Sequence, residues 1–447
     1  MTPRSARPVR ASRLPAPGPT GGTQDARGQA PRRPHEDDFL DTPPGLAQLA
    51  PGAVIRSRRV RVALLGLVPQ QRIEAWQVAY RSTDLHGEPE VAVTTVMRRR
   101  GAVPTALVAY QCAIDAVSDR CFPSYALRAG ARAWGALPQF EILLIARLLD
   151  LGYAVSACDH EGRLGTFAAP REPGYRVLDG VRAALALEDA GLPGDLPVGM
   201  FGYSGGGMAT SWAAEMAPTH APELPIVGAV LGSPVGDPGE AFIKLNGGFF
   251  AGLPALVVAG LRHVYPGLAE VVREHASSEG RQRLDRLEQL TTTEACLRYA
   301  LDDFDDYLDS PLADVLALPE VLHVFDDLRL GHHAPTCPLL VVQSRWDQII
   351  DVDDVDSQVQ RYADRGADVL YLRDGASEHI SLMLLGFPVM LGWLERRFED
   401  HRAACHGVAA PPATGNRDHL SLALLPSSWS GFAGLGVVAV RTVLGRG

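Results

Sequence analysis

The sequence predicts an α/β protein built on a mostly parallel central sheet, with a block of helices inserted late in the chain. Three observations carry that expectation. Short apolar runs alternate with segments of helical periodicity between residues 73 and 398, and such alternation indicates parallel pairing through crossover helices. The first two runs are joined by the turn Gly87-Glu88-Pro89, which puts an antiparallel pair at one edge. The strand rhythm stops between Asp237 and Gly331, a stretch too long for a loop in a compact domain.

Residues 73–81 alternate and read as the first strand; 91–97 and 106–111 supply the second and third. Residues 140–149 carry apolar side chains at helical spacing, and 153–158 follow as a short buried strand. Val177, Leu178, Val181, Ala184 and Leu185 mark one apolar face of a further helix. Residues 196–201 are a strand, 202–207 a turn, and a helix then runs to Ala217, where Pro218 stops it. Strands follow at 226–231, 339–343 and 369–372, and a final helix at 380–398. The inserted block reads as several helices, one of them at 294–307. The resulting division is a disordered tail at 1–38, one core in two parts at 39–236 and 332–400, a helical cap at 237–331, and an extension at 401–447 with no assigned role. That extension is loop-like, then apolar and glycine-rich. No internal repeat is present.

The 447 residues are 46% hydrophobic and 21% charged, enough for a large core plus an insertion. A net charge of −10 argues against a nucleic-acid partner, whose phosphates would be repelled. Lys244 is the only lysine, which reads as coding bias and not as function. No stretch is long and apolar enough to span a bilayer. The first 34 residues are rich in Pro, Gly and Arg and lack the apolar region of a secretory signal. They cannot bury enough apolar surface to offset ordering. The six cysteines are scattered with no C-x-x-C spacing, so no zinc site is expected. From spacing alone, buried free thiols are favoured over disulfides.

Gly202-Tyr203-Ser204-Gly205-Gly206 is a G-x-S-x-G motif between a short apolar strand and a helix. That is the nucleophile elbow of the α/β-hydrolase fold. The turn strains the backbone of Ser204, so Gly202 and Gly206 must be small for strand and helix to pass. The N–H of Gly205, at the helix start, points where an oxyanion would form. A serine hydroxyl needs a base to take its proton, and this fold orders the chain Ser, acid, His. Asp347 follows the apolar run 339–344 and is the candidate acid; His379, in the loop before the final helix, is the candidate base. Nearby Asp351, Asp353, Asp354 and Asp356 read as a solvated helix start, and they lack the glycine of a calcium loop. His332 and His333 precede the acid strand, and His160 belongs to an earlier strand end. No third ligand accompanies the histidine pair, so neither a metal nor an organic cofactor is expected.

These residues resemble the secreted lipase family typified by fungal Candida lipases and found also in actinobacteria. The resemblance runs from about Phe39 to Phe398 and is carried by four stretches: residues 110–125 (YQCAIDAVSDRCFPSY), Asp159-His160-Glu161-Gly162, residues 202–222 (GYSGGGMATSWAAEMAPTHAP) and Trp346-Asp347. His379 completes it. The resemblance implies an α/β-hydrolase core with a helical cap and hydrolysis of acylglycerols and other esters. By position it puts the nucleophile, acid and base on Ser204, Asp347 and His379, and the backbone oxyanion donors on Asp115 and Gly205. It also implies a disulfide between Cys121 and Cys296. A second family bridge has no counterpart, because Arg345 stands in its place. The resemblance implies secretion, although no signal peptide is visible.

The expected reaction is acyl transfer in two steps, on a lipid ester or other small acyl ester, with contact to a lipid interface. Phe249, Phe250, Leu253, Leu256 and Val257 of the cap are expected to line the acyl pocket. The alternatives are a carboxylesterase or acyltransferase using the same chemistry, and a non-catalytic lipid-binding protein on the same scaffold.

Overall fold

The computed structural model describes residues 30–405 and 414–447. Most of the N-terminal tail expected to be disordered, residues 1–29, lies outside the described residues. From residue 30 onward the expectation of disorder is corrected. Pro34 is buried, Arg33 pairs with Asp119, and His35 contacts Asp119 at 2.6 Å. Ion pairing to a buried carboxylate holds a segment that its apolar content would not.

Ten strands form one sheet: β1 Val54–Val60, β2 Ile73–Thr83, β3 Pro89–Arg99, β4 Leu107–Gln111, β5 Ala154–Cys158, β6 Val198–Tyr203, β7 Ile226–Gly232, β8 Leu339–Ser344, β9 Val369–Asp374 and β10 Gly415–His419. Their spatial order is β1-β2-β3-β5-β4-β6-β7-β8-β9-β10. The pairs along β1, β2, β3 and β5 are antiparallel, and all later pairs are parallel.

Besides a single α-helical turn at Pro123–Ala126, the helices are α1 Pro138–Asp150, α2 Glu172–Ala186 and α3 Gly205–His220; then α4 Pro238–Leu245, α5 Gly252–Leu261, α6 Pro266–His275, α7 Ser278–Leu287, α8 Thr292–Arg298, α9 Leu312–Leu316 and α10 Pro319–Leu328; then α11 Val352–Asp364, α12 His379–Leu385, α13 Phe387–Ala404 and α14 Pro426–Val443. Seven helices thus separate the neighbouring parallel strands β7 and β8.

The two-residue period of a strand decides what covers each face. Leu107, Ala109, Val198, Met200, Leu339 and Val341 pack with α2, α3 and α11. The intervening Val108, Tyr110, Phe201, Tyr203, Leu340 and Val342 pack with α1 and α13. Strands β4, β5, β6 and β8 are buried at every position, as covered parallel strands must be.

Three local readings are corrected, and the extension left without a role is placed. Pro218 lies inside α3, which continues to His220. The final helix is two helices that break at Gly386. Residues 294–307 divide into α8 and a 3-10 turn at Phe304–Tyr307. The C-terminal extension is built into the fold: β10 adds to β9, and α14 buries Ser428, Val438 and Thr442, with Arg441 paired to Asp150 of α1 at 3.1 Å.

Candidate active site

Ser204 lies between β6 and α3 with φ 56° and ψ −124°, a conformation that side-chain-bearing residues adopt only under constraint. The neighbours explain how it is held. A Cβ on Gly202 would overlap the Gly206 carbonyl, and one on Gly206 would overlap the Gln111 carbonyl of β4. Ser204 N–H donates to the Gly232 carbonyl at 2.9 Å. The hydroxyl is therefore presented at the C-terminal edge of the sheet and at the N-terminus of α3.

Three residues distant in sequence meet there. His379 Nε2 lies 2.9 Å from Ser204 Oγ, and His379 Nδ1 lies 2.7 Å from Asp347 Oδ2. The carboxylate is buried and fully occupied. Oδ1 accepts the N–H groups of Ile349 and Ile350 at 2.8 and 2.7 Å. Oδ2 also accepts from Gln343 Nε2 at 3.2 Å. With Nδ1–H directed at Asp347, Nε2 is left as the acceptor for the serine proton.

Several further residues fix this geometry. Tyr203 OH donates to the His379 carbonyl at 2.6 Å. Gln348 bridges the acid and base loops: its Oε1 accepts His379 N–H at 3.1 Å, and its Nε2 donates to Glu378 Oε2 at 2.8 Å. Glu378 caps α12 by accepting from Ile380 and Ser381. Buried Asp374 gathers the loop before His379, accepting from Ala376, Ser377 and, 48 residues on, Leu422. Tyr203 lies inside the G-x-S-x-G motif, and Gln348 and Glu378 each adjoin a triad residue, so their positions could have pointed to them; those of Asp374 and Leu422 could not.

Asp115 departs from the role its position implies. Its φ is 48°, and its backbone N–H donates to Glu161 Oε1 at 2.9 Å, so that amide is already satisfied. Its carboxyl faces Gly205, and Oδ1 is buried without a hydrogen-bond partner. Burial pushes this carboxyl up to about 7, against an opposing pull from His379. Burial likewise drives Glu161 well above the carboxylate range.

The other expectations fall away from the centre. His160 is buried, its Nε2 2.8 Å from the Cys112 carbonyl, and burial lowers it to about 4, which keeps it neutral. His332 and His333 are exposed; the latter's N–H donates to Glu215. In the acidic run, Asp351 caps α11, Asp354 accepts from Gly236 N–H, and Asp356 pairs with Arg373. Among the described residues no cluster of three metal-ligating side chains occurs. The bridge between Cys121 and Cys296 is not formed: both are free thiols. Cys121 Sγ faces Thr292 Oγ1 at 3.9 Å, one helical turn before Cys296, and burial raises both thiols to about 12.

A cavity of about 50 Å³ opens on Ser204 and Gly205, walled by Phe167, Phe242, Leu245, Leu253, Val257, Ile349 and Ile350 among others. A second, apolar cavity of about 130 Å³ lies wholly among α4–α10 and their connections, and Pro238, Phe242 and Val257 line both. Of the five residues expected to form an acyl pocket, Leu253 and Val257 line the serine cavity. Leu256 is instead buried in the core, Phe250 packs against that core, and Phe249 is half exposed.

A mostly parallel sheet, a strained serine at the strand–helix turn and the order Ser, Asp, His define an α/β-hydrolase. The closed-state crystal structure of Candida antarctica lipase A shares this fold, with a TM-score of 0.81 at 24% identity over 93% of this chain and 96% of that one. The secretory lipase family model matches residues 127–405, and the chain belongs to that family. It is 49% identical to a probable inactive lipase of Mycobacterium tuberculosis over 93% of this chain and 92% of that protein. It is 33% identical to lipase A of Arthroderma benhamiae over 83% and 81%.

Proposed function

We propose that the chain is a serine-dependent carboxylic ester hydrolase acting on acylglycerols or similar lipid esters, with Ser204 as nucleophile, His379 as base and Asp347 as acid. The observation that carries this reading is the pair of contacts on His379, 2.9 Å to Ser204 Oγ and 2.7 Å to Asp347 Oδ2. As Ser204 Oγ bonds to the ester carbonyl carbon, its proton passes to His379 Nε2, and Asp347 stabilises the imidazolium. The carbonyl π electrons move to oxygen, return, and expel the alcohol, which leaves with the His379 proton. Water then repeats the sequence on the acyl-enzyme, giving its proton to His379 and releasing the acid and free Ser204.

Gly205 N–H stabilises the oxyanion from the start of α3. Because Glu161 holds the Asp115 amide, Asp115 contributes through its protonated carboxyl, as an O–H donor beside Gly205. The acyl chain runs past Phe242 and Val257 into the apolar cavity among the inserted helices, which act as a cap. The wall shared by the two cavities favours lipid esters over short ones. Family membership supports export.

A second reading is lipid binding without turnover, prompted by the inactive designation of the mycobacterial relative. The assembled Ser–His–Asp contacts argue against it. Hydrolysis of p-nitrophenyl acetate, butyrate and laurate by the wild type and by Ser204→Ala decides between them. The proposal expects turnover, highest kcat/KM for the longer chains, and its loss in the variant. No turnover by folded wild type supports the binding reading.

A further inference from the structure

We propose that Lys244 is a positioning residue, tying the helix that walls the acyl pocket to the loop that carries the acid, so that one ammonium group sets both pocket width and acid placement. The inference rests on the hydrolase reading above and adds to it a residue with no motif and no neighbour of its own kind. Every other Lys-or-Arg position in the chain is arginine.

Lys244 lies in the last turn of α4. Its Nζ donates to the Asp347 carbonyl at 3.0 Å and pairs with Asp351 Oδ2 at 3.3 Å. It therefore spans both ends of the short loop 347–351. At one end is the residue whose carboxylate holds His379. At the other is the cap of α11, where Asp351 accepts Asp353 N–H at 3.1 Å. Between them, Ile349 and Ile350 face the serine cavity.

Another wall of that cavity is α4 itself. Pro238, Ala241, Phe242 and Leu245 line it, the i, i+3, i+4, i+7 face of one helix. The start of α4 is fixed to α11 independently, since Gly236 N–H donates to Asp354 Oδ2 at 3.1 Å and Arg361 donates to the Gly236 carbonyl at 3.3 Å. Its end has Lys244. Just beyond, Asn246 turns back into the inserted block, bonding Asp303 and Phe304. Lys244 thus holds the far end of the pocket wall against the acid loop. The side chain is 30% exposed, so reagents reach it, and a charged donor to a carbonyl is stronger than a neutral one.

The test compares wild type, Lys244→Met and Lys244→Arg on p-nitrophenyl acetate and laurate. The proposal expects Lys244→Met to lower kcat about tenfold on both esters. It expects KM to rise severalfold for laurate alone, where the freed wall widens the pocket, with both effects restored in Lys244→Arg. A role in fold stability alone would lower kcat equally and leave both KM values unchanged, and that result overturns the proposal. A chemical arm needs no refolding. Acetylation of the folded wild type removes the charge, whereas reductive dimethylation keeps it and one N–H. Loss on acetylation only supports the proposal; equal activity after both overturns it. Lys244→Arg, which has no lysine, controls for reaction at the α-amine. A folded wild type inert towards both esters overturns the hydrolase reading, and this inference with it.

Discussion

Ser204 is held at a positive φ by glycines on both sides, and strain of this kind costs roughly 1–3 kcal/mol. Ser204→Ala removes the hydroxyl without relieving that strain, so its thermal unfolding should match wild type while ester turnover is lost. Asp347→Asn disturbs more, because one carboxylate serves two N–H donors, Gln343 and His379. It should lower kcat roughly 10⁴-fold by presenting the wrong imidazole tautomer. Asp115 gives a pH signature. Its carboxyl is protonated below about 7 and ionised above, so kcat should decline on the alkaline side as the donor is lost. Asp115→Asn, which keeps a donor, should remove that decline, and Asp115→Ala should lose about 10²–10³-fold below pH 7, with the deficit narrowing above it as the wild-type carboxyl ionises. The raised folded value also sets a stability sign. The contribution is full below the ordinary carboxylate range and is lost as pH rises through 7, so thermal unfolding of wild type relative to Asp115→Asn should worsen between pH 4 and pH 8. Profiles that do not differ would remove Asp115 from the reaction.

At the scale of elements, α4 and α5 separate the cavity at Ser204 from the apolar cavity beyond it. Val257 lines both, so Val257→Phe should obstruct an acyl chain running from one to the other. Each methylene excluded then forfeits about 0.8 kcal/mol, or roughly fourfold in kcat/KM, so laurate should suffer and acetate should not; equal losses would place the acyl chain elsewhere. The same elements mark where sequence reading stops. The strands bearing Ser204, Asp347 and the His379 loop are continuous apolar runs, and the fold's fixed order supplies the rest. Strand β1 was hidden because Arg56, Arg58 and Arg59 break its pattern; Arg58 is accommodated by pairing with Asp37 and stacking on Phe39. Strand β10, with the sequence Gly-Asn-Arg-Asp-His, has no apolar pattern, being an exposed edge held by backbone pairing and by Asp418 to Arg373. The Asp115–Glu161 contact joins residues 46 apart, and no spacing rule finds it. Lys244, read from sequence as coding bias, gains its meaning only from the carbonyl it meets.

For the whole molecule, the C-terminal extension is structural support for the base loop. Leu422 N–H donates to Asp374 Oδ2 at 2.5 Å. Burial acts to raise Asp374, but this donor and those from Ser377 and Ala376 outweigh it and hold the carboxyl below its usual range. Ending the chain at residue 405 removes that donor, β10 and the buried Leu422 and Val438. At about 1.5–3 kcal/mol per buried side chain, the melting temperature should fall by roughly 5–15 °C, and ester turnover should fall with it because the His379 loop loses its anchor. An unchanged melting temperature would make the extension dispensable.

The central claim is that Ser204 is a nucleophile activated by His379. The most direct measurement is intact-mass and peptide analysis after incubation with a fluorophosphonate. One phosphonyl group per chain should appear on the peptide containing Ser204, and its rate of formation should collapse in His379→Ala. A folded chain that takes up no phosphonyl group, or takes it up elsewhere, contradicts the claim.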